Sequence, residues 1–560
     1  MDYRVAYQEW LNMVADCEAE KAELLTLDEK EIEDRFYTDL SFGTAGMRGV
    51  MAAGRNRMNV YTVRRASAAL AKLLLNTPGG RERGVVVAYD SRLHSDEFAR
   101  EAALVLCAYG VKTRLFTALR PVPMLSFAVR DLSCMAGVVI TASHNPKQYN
   151  GYKVYWEDGG QLPPDRAEIV QNAIADTAFA DAVPMDEKEA VEKGLLIWLD
   201  ESADENYQTY AQTLLIDPQR DKKEGGSLKI VYSPLHGSGN VPVRAALKRA
   251  GFTDVTVVPQ QELPDPAFST VKVPNPEEKE SFKLALQLAE EVGADVVFAT
   301  DPDCDRVGLA VKDKNGEARA LTGNEIGCLL LHYVLSRKQA LGTLPKNAAA
   351  VKSIVTTELS RRICEDFGVE MVDVLTGFKF IAEKIEQFET SGEYSFVFGF
   401  EESCGYLSGT RVRDKDGVNA CLLIAEAALY YRSLGMTLYD ALEEIFKKYG
   451  YHSARVVSVT LPGLDGLDRM RGIMTSLRQN PPARIGGVKV LATRDYLAGF
   501  GGLPTSDVIY FELEDGAWLC VRPSGTEPKI KLYANSRAAA RDDAQALAEK
   551  LAQAGKEMLL

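Results

Sequence analysis

One pattern, met three times, constrains this chain more than any other feature. An apolar strand-like run is followed by a polar loop, an amphipathic helix, a glycine and a second strand-like run. The copies begin at Val85 (VVVAYDSRLHSDEFAREAALVLCAYGVKTRLF), Lys229 (KIVYSPLHGSGNVPVRAALKRAGFTDVTVV) and Ala350 (AVKSIVTTELSRRICEDFGVEMVDV). The glycines closing the helices are Gly110, Gly251 and Gly368, as a left-handed helix end requires. Strand–helix–strand alternation predicts parallel pairing with right-handed crossovers. Intervals of 141 and 117 residues between those glycines are too long for a solenoid and fit three successive α/β domains. The C-terminal part differs. VIYFELEDGAWLCV predicts a hairpin around Glu514-Asp515-Gly516, followed by a long amphipathic helix from about Arg537, an α+β pattern. The expected domains are residues 1–205, 206–318, 319–450 and 451–560. That agrees with about four domains at roughly 150 residues each.

Sixty-five Lys and Arg against 79 Asp and Glu give a net charge of −14. Such a chain is no general binder of nucleic acid or anionic membrane, both of which need basic surface. An anionic substrate in a local basic pocket is still allowed. The nine cysteines are odd in number and contain no CxxC pair, so neither a disulfide framework nor a Cys-based zinc site is expected. Met1 to Lys30 reads as acidic helix without the basic start and apolar stretch of a signal peptide. No apolar run reaches membrane-spanning length, and a cytoplasmic protein is expected.

Four loops carry side chains suited to chemistry. Thr141-Ala142-Ser143-His144-Asn145-Pro146 follows the run AGVVI, at a strand's carboxyl end, where α/β proteins place ligands. Ser143 can act as nucleophile if a neighbour takes its proton, and His144 and Lys153 are near in sequence; a plain Asn-Pro turn is the alternative. Asp301-Pro302-Asp303-Cys304-Asp305-Arg306 follows ADVVFAT, and carboxylates at alternate positions can converge on one hard divalent cation. It is not an EF-hand, because Arg306 and Lys312 stand where Gly and Glu are needed. Such a set suits Mg²⁺. Gly399-Phe400-Glu401-Glu402-Ser403-Cys404-Gly405 follows YSFVF and suits sugar hydroxyls; a helix cap with an acidic first turn is the alternative. Arg522-Pro523-Ser524-Gly525-Thr526-Glu527-Pro528, with Lys529 and Lys531 beyond it, makes a phosphate cradle or else an ordinary charged turn.

The four loops, in this order and one per expected domain, resemble the α-D-phosphohexomutase superfamily of phosphoglucomutases and phosphomannomutases almost end to end. Thr44-Ala45-Gly46-Met47-Arg48-Gly49 resembles the family's T-[SA]-G-x-R-G segment, Thr376-Gly377-Phe378-Lys379 its TG-[FW]-K element, and Arg413 to Gly417 (RDKDG) its [RK]-x-KDG element. Phe400 before Glu401, and HNPKQYNGYKVY around the serine, resemble the branch that also holds phosphopentomutases and sugar-1,6-bisphosphate synthases. The resemblance implies three similar α/β domains with mixed, mainly parallel sheets plus a C-terminal α+β domain, arranged around a central cleft.

It further implies a phosphoglucomutase interconverting glucose 1-phosphate and glucose 6-phosphate, with phosphomannomutase or phosphopentomutase activity as the alternative. Ser143 would carry the phosphoryl group. Mg²⁺ would be held by Ser143, Asp301, Asp303 and Asp305, and glucose 1,6-bisphosphate would be activator and intermediate. His144, Lys153 and Lys415 would handle protons or stabilise phosphate, and Arg48 and Arg306 would contact the transferring group. Glu401 and Ser403, with Thr376, Gly377 and Lys379, would hold the sugar. Arg522, Ser524, Gly525, Thr526 and Lys531 would hold the phosphate that is not reacting. A metal-dependent phosphatase and a non-catalytic phosphosugar sensor are the readings from other classes.

Overall fold

A computed structural model describes residues 2–43, 46–313, 315–461, 465–524 and 529–560. Four sheets follow one another along the chain. The first runs Met47–Val50, Tyr149–Trp156, Ala136–Ile140, Val85–Tyr89, Thr113–Phe116, Leu196–Leu199. Its central strands pair in parallel, whereas Tyr149–Trp156 is antiparallel to both neighbours. The second is Ala318–Ala320, Val307–Lys312, Val296–Thr300, Ile230–Ser233, Val255–Val257, and the third is Glu370–Val374, Ala348–Ser353, Ser395–Glu401, Gly405–Leu407. The second is parallel from Val296–Thr300 through Val255–Val257, with Val307–Lys312 antiparallel to both its neighbours, and the third is antiparallel at its Gly405–Leu407 edge. The fourth is antiparallel between every pair of neighbours, with Tyr451–Thr460 beside Lys529–Ala538.

The sequence pattern accounts for these choices. AGVVI and VVFAT are buried at every position, as strands covered by helices on both faces must be. In each repeat the helix ends in a left-handed glycine. At Gly251 (φ 108°) a Cβ would also lie 2.5 Å from the Asp221 carbonyl oxygen, so glycine is needed there twice over. The N-terminal acidic stretch forms three short helices, Tyr3–Met13, Glu18–Leu25 and Glu29–Phe36, the last with a capping box from Asp28 and Glu31.

Three local expectations change. The last helix spans Arg541–Glu557 and does not begin near Arg537; Arg537 pairs with His452 in the sheet, and cross-strand pairing overrides the helix propensity of the alanine run. The strand before the glutamates runs to Glu401 itself and turns back at Gly405–Leu407, so no helix cap forms there. The second and third units also share one continuous apolar cluster. It closes around Gly417–Ser433, a helix buried on nearly every side, which packs on Asn240–Ala250. The C-terminal sheet meets the third unit through Tyr510, Trp518, Cys520 and Tyr533 against Ile354, Val355 and Leu375.

Candidate active site

The serine loop leaves the carboxyl end of strand Ala136–Ile140. Ser143 is left-handed, φ 52°, an uncommon conformation for a residue with a Cβ. A buried lattice holds it. The Ser143 N–H donates to Thr141 Oγ1 at 2.8 Å, and that hydroxyl donates to Asp90 Oδ2 at 2.6 Å. Arg92 donates to the carbonyls of Asn145, Pro146 and Tyr149 at 2.5, 3.0 and 3.0 Å, and to that of Ser143. Asp90 and Arg92 were not among the expected site residues. The signal was available: they follow the carboxyl end of VVVAY, the same position that singled out the other loops.

Ser143 Oγ lies 2.8 Å from Asp301 Oδ2 and 3.0 Å from His144 Nδ1. Asp301, Asp303 and Asp305 are at most 3% exposed, and one oxygen from each lies within 4.8 Å of the others. The backbone N–H groups of Asp305 and Arg306 donate to Asp301 Oδ1 at 3.1 and 3.0 Å, curling the loop around its first carboxylate. Asp303 Oδ1 and Asp305 Oδ1 are buried and have no hydrogen-bond partner among the described residues. Three convergent hard oxygens, two of them on carboxylates with an unbonded oxygen, fit a divalent cation such as Mg²⁺.

The charges around this triad are nearly balanced. Lys153 Nζ lies 2.8 Å from Asp303 Oδ2 and 4.0 Å from Asp305 Oδ2. Lys415 Nζ lies 3.1 Å from Asp305 Oδ2 and 2.9 Å from Asp414 Oδ1. Asp414 in turn accepts from Tyr155 Oη at 2.7 Å and Gln161 Nε2 at 3.1 Å. Burial and the two neighbouring carboxylates push Asp301 well above the usual range. Burial pushes Asp303 the same way, but Lys153 outweighs it and holds that carboxyl down. This is the splitting expected of like charges sharing one site. Burial, then Arg306 and Arg48, press His144 well below its ordinary value, so its ring is neutral. Arg48 donates to Asn145 Oδ1 at 3.0 Å, and Arg306 pairs with Glu277 and donates to the Ser403 carbonyl at 3.1 Å.

The far wall comes from the third and fourth sheets. Glu401 is buried and accepts from the Gly377 N–H at 2.8 Å; burial raises its carboxyl, opposed by Lys415. The Thr376 hydroxyl is buried and has no hydrogen-bond partner among the described residues. Phe400, by contrast, faces away from the site. It is 1% exposed and fills the space a side chain at Gly327 would need. Lys379 and Lys531 are both lowered, first by burial and then by charged neighbours that include Arg522 for each. These three cations therefore share one neighbourhood, and Arg306 acts on Lys531 as well. The Ser524 N–H donates to the Lys529 carbonyl at 2.7 Å. Gly525 and Thr526, expected in the cradle, lie outside the described residues, as do Thr44 and Ala45.

Against known proteins, four family models match in order. They are phosphoglucomutase/phosphomannomutase alpha/beta/alpha domain I at residues 39–181, domain II at 205–316, domain III at 322–449, and the C-terminal domain at 470–554. The chain belongs to this family. A phosphoglucomutase of Staphylococcus haemolyticus (strain JCSC1435) is 38% identical over 514 residues, 90% of this chain and 91% of its own. One of Staphylococcus aureus (strain MRSA252) is 38% identical over 533 residues, 92% of this chain and 93% of its own. In fold, the chain resembles the open form of parafusin, a phosphoglucomutase from Paramecium, with a TM-score of 0.70 at 17% identity, covering 93% of this chain and 94% of that one. As a member of the phosphoglucomutase/phosphomannomutase family, the chain is an intramolecular phosphotransferase, an isomerase. Among the described residues, no helix is long and apolar enough to cross a membrane.

Proposed function

We propose that this phosphotransferase interconverts glucose 1-phosphate and glucose 6-phosphate, using Ser143 as the phosphoryl carrier and glucose 1,6-bisphosphate as the bound intermediate. The observation carrying this reading is the position of Ser143 Oγ, hydrogen-bonded to Asp301 of the carboxylate triad and to His144. The carboxylates of Asp301, Asp303 and Asp305 would hold Mg²⁺, which when bound neutralises charge on a phosphoryl group in transit.

In the first half-reaction the sugar's 6-oxygen bonds to phosphorus as the bond to Ser143 Oγ breaks. The hydroxyl proton passes to His144, the neutral group 3.0 Å from Ser143 Oγ. Lys153, Lys415, Arg48 and Arg306 hold the charge of the transferring group. Arg522, Ser524, Gly525, Thr526 and Lys531 grip the other phosphate, while Glu401, Ser403, Thr376, Gly377 and Lys379 orient the ring. The bisphosphate then turns end for end, Ser143 Oγ bonds to the 1-phosphorus as its bond to the sugar's 1-oxygen breaks, and His144 returns its proton to that oxygen. On this reading each unit contributes one function, with the phosphoserine in 1–205, the metal in 206–318, the sugar in 319–450 and the distal phosphate in 451–560. Nine free cysteines, eight of them buried, support a reducing compartment and hence a cytoplasmic location.

Two measurements test the proposal. Intact mass with excess substrate should show one added phosphoryl group on the wild type and none on Ser143→Ala, whose turnover should fall by about 10⁴-fold or more. A panel of the 1-phosphates of glucose, mannose, N-acetylglucosamine, ribose and deoxyribose should give the highest kcat/KM for glucose. Equal or better use of ribose 1-phosphate would overturn the assignment of substrate. Phe400, the residue shared with the pentomutase-containing branch, packs inward and does not line the sugar site, so it does not argue for a pentose. Steady release of inorganic phosphate would favour a phosphatase instead.

A further inference from the structure

A polar cavity whose lining includes neither Ser143 nor the carboxylate triad lies where the third unit joins the C-terminal sheet. The chain crosses this joint at Gly450, between helix Leu438–Tyr449 and strand Tyr451–Thr460. The cavity has a volume of about 70 Å³ and takes its walls from both sides of the joint, Thr322, Asn324 and Thr357 facing His452, Asn535 and Arg541. At roughly 10–15 Å³ for each enclosed water, it has room for about five waters or one tetrahedral oxyanion. It is far below the roughly 300 Å³ at which pockets for larger ligands begin.

The lining is polar in a way the surrounding protein does not satisfy. Asn535 is 1% exposed, yet neither its amide oxygen nor its nitrogen has a hydrogen-bond partner among the described residues. Both ring nitrogens of His452 are buried and equally unpartnered. Asn535 is the neighbour of His452 two positions along the paired strand and favours the protonated ring, but no bond of ordinary geometry joins them. Buried polar groups left this way are costly and point to a bound water, ion or ligand.

The potential in the cavity is positive. Burial, then Arg362 and Arg537, press the His452 ring down to about 3, opposed by Glu358, so it is neutral and offers one N–H. Arg362 and Arg537 have no ion-pair partner among the described residues. Glu358 is committed to Lys352 and Arg361 at 2.9 and 2.8 Å. Of the lining groups, Glu325 is the carboxylate, and it is occupied: Oε2 accepts from the Thr322 N–H at 2.9 Å and Oε1 pairs with Arg319, with Arg541 at 3.6 Å. Arg541 also pairs with Glu443, and Arg455 with Glu549 at 2.9 Å. The 18-residue helix Gly323–Ala340 and the nine-residue helix Leu359–Phe367 both begin at the cavity wall, which adds the partial positive charge of two N-termini.

We propose that this cavity is a binding site for a small tetrahedral oxyanion of the phosphate class, held by Asn535 and His452 and bridging the third unit to the C-terminal sheet. Its occupancy ties down the joint on which the C-terminal phosphate grip is carried.

The test uses inorganic phosphate and a protein whose reaction site no longer competes for it. In Arg522→Ala/Lys531→Ala, isothermal titration should still show one phosphate per chain, and adding Asn535→Leu should weaken that binding at least tenfold. No residual binding in the double variant, or residual binding indifferent to Asn535→Leu, would overturn the proposal and leave a water-filled cavity. Should the triple variant fail to fold, wild-type protein labelled at histidine decides the matter. The ring resonance of His452, assigned by its loss in His452→Gln, should shift as phosphate is added. A resonance that stays put through the titration would refute the site.

Discussion

Arg92→Met is expected to disorder the serine loop through a residue that never touches substrate. The Arg92 side chain is fully buried with its Nε 3.4 Å from Asp90 Oδ2, and its two terminal nitrogens serve four loop carbonyls. Removing one partner of a buried ion pair costs about 3–5 kcal/mol. Each charge-assisted bond to a carbonyl is worth about 1.5–3 kcal/mol, but Asn145, Pro146 and Tyr149 are only half-buried, so water can replace much of what they lose. The net cost to closing the loop is therefore about 4 kcal/mol, or about a 10³-fold rise in the open population at 1.4 kcal/mol per decade.

Native-state amide exchange over residues 136–156 reads this opening directly. Turnover should fall by about 10²-fold as Ser143 loses its alignment. Asp90 supplies an internal control. Burial raises its carboxyl and Arg92 opposes that rise, so in Arg92→Met a stranded carboxylate contributes to the damage. Asp90→Asn should then cost less in the Arg92→Met background than in the wild type, with a coupling of about 1–3 kcal/mol. Additive costs, or exchange that is unchanged across 136–156, would refute the reasoning.

Other consequences are as concrete. Lys153→Met leaves Asp303 without its 2.8 Å partner, so the variant should lose about 3–5 kcal/mol in the absence of metal and regain most of it in Mg²⁺; a melting deficit equal with and without Mg²⁺ would contradict this. Gly417→Ala places a Cβ 2.4 Å from the Cys304 carbonyl oxygen, inside the carboxylate loop, and should weaken Mg²⁺ binding by about 10–100-fold, measured by titration of activity or of melting temperature against Mg²⁺. Burial, then Lys448, lowers His332 to about 4 in the folded chain, opposed by Asp366. The unfolded chain takes up that proton near pH 6.5, so stability present above that pH is lost as pH falls toward 4, by up to about 3 kcal/mol at 1.36 kcal/mol per pH unit. Urea midpoints of His332→Gln should show a correspondingly flatter decline over that window, and parallel curves would rule the effect out.

The parts of this molecule that were legible in the sequence are the local ones. Asp301, Asp303 and Asp305 announce themselves because spacing along one loop is enough to make three carboxylates converge. Gly110, Gly251 and Gly368 do so because a helix end has few other solutions. The place of Arg92 after strand VVVAY is legible, but its role is not: its partners, the carbonyls of Ser143, Asn145, Pro146 and Tyr149, are backbone atoms some fifty residues away that residue identity does not reveal. The shared core of the second and third units has the same origin. An all-apolar helix such as Gly417–Ser433 declares that it is buried but not which neighbours bury it. Arg537 was misplaced for the converse reason: local propensity around it favours helix, and only the distant partner His452 makes it strand.

The same distinction governs charge. A net −14 is uninformative about the reaction site, where the terms nearly cancel. Arg48, Lys153, Arg306 and Lys415 stand against Asp301, Asp303, Asp305, Asp414 and Glu401, most of them buried within reach of one another. A phosphoryl group on Ser143 adds about −1.5 to −2, which a divalent cation on the triad offsets. The serine side is then close to neutral with its load in place, and it has no surplus charge to hold a second phosphate. On the proposed mechanism that second phosphate must be held elsewhere. Lys379, Arg522 and Lys531 provide a basic wall, where burial and then Arg522 lower both lysines. On the proposed mechanism a sugar that takes one phosphoryl group from Ser143 and returns the other to it needs this asymmetry: a balanced side where the group moves, and a basic side where it waits.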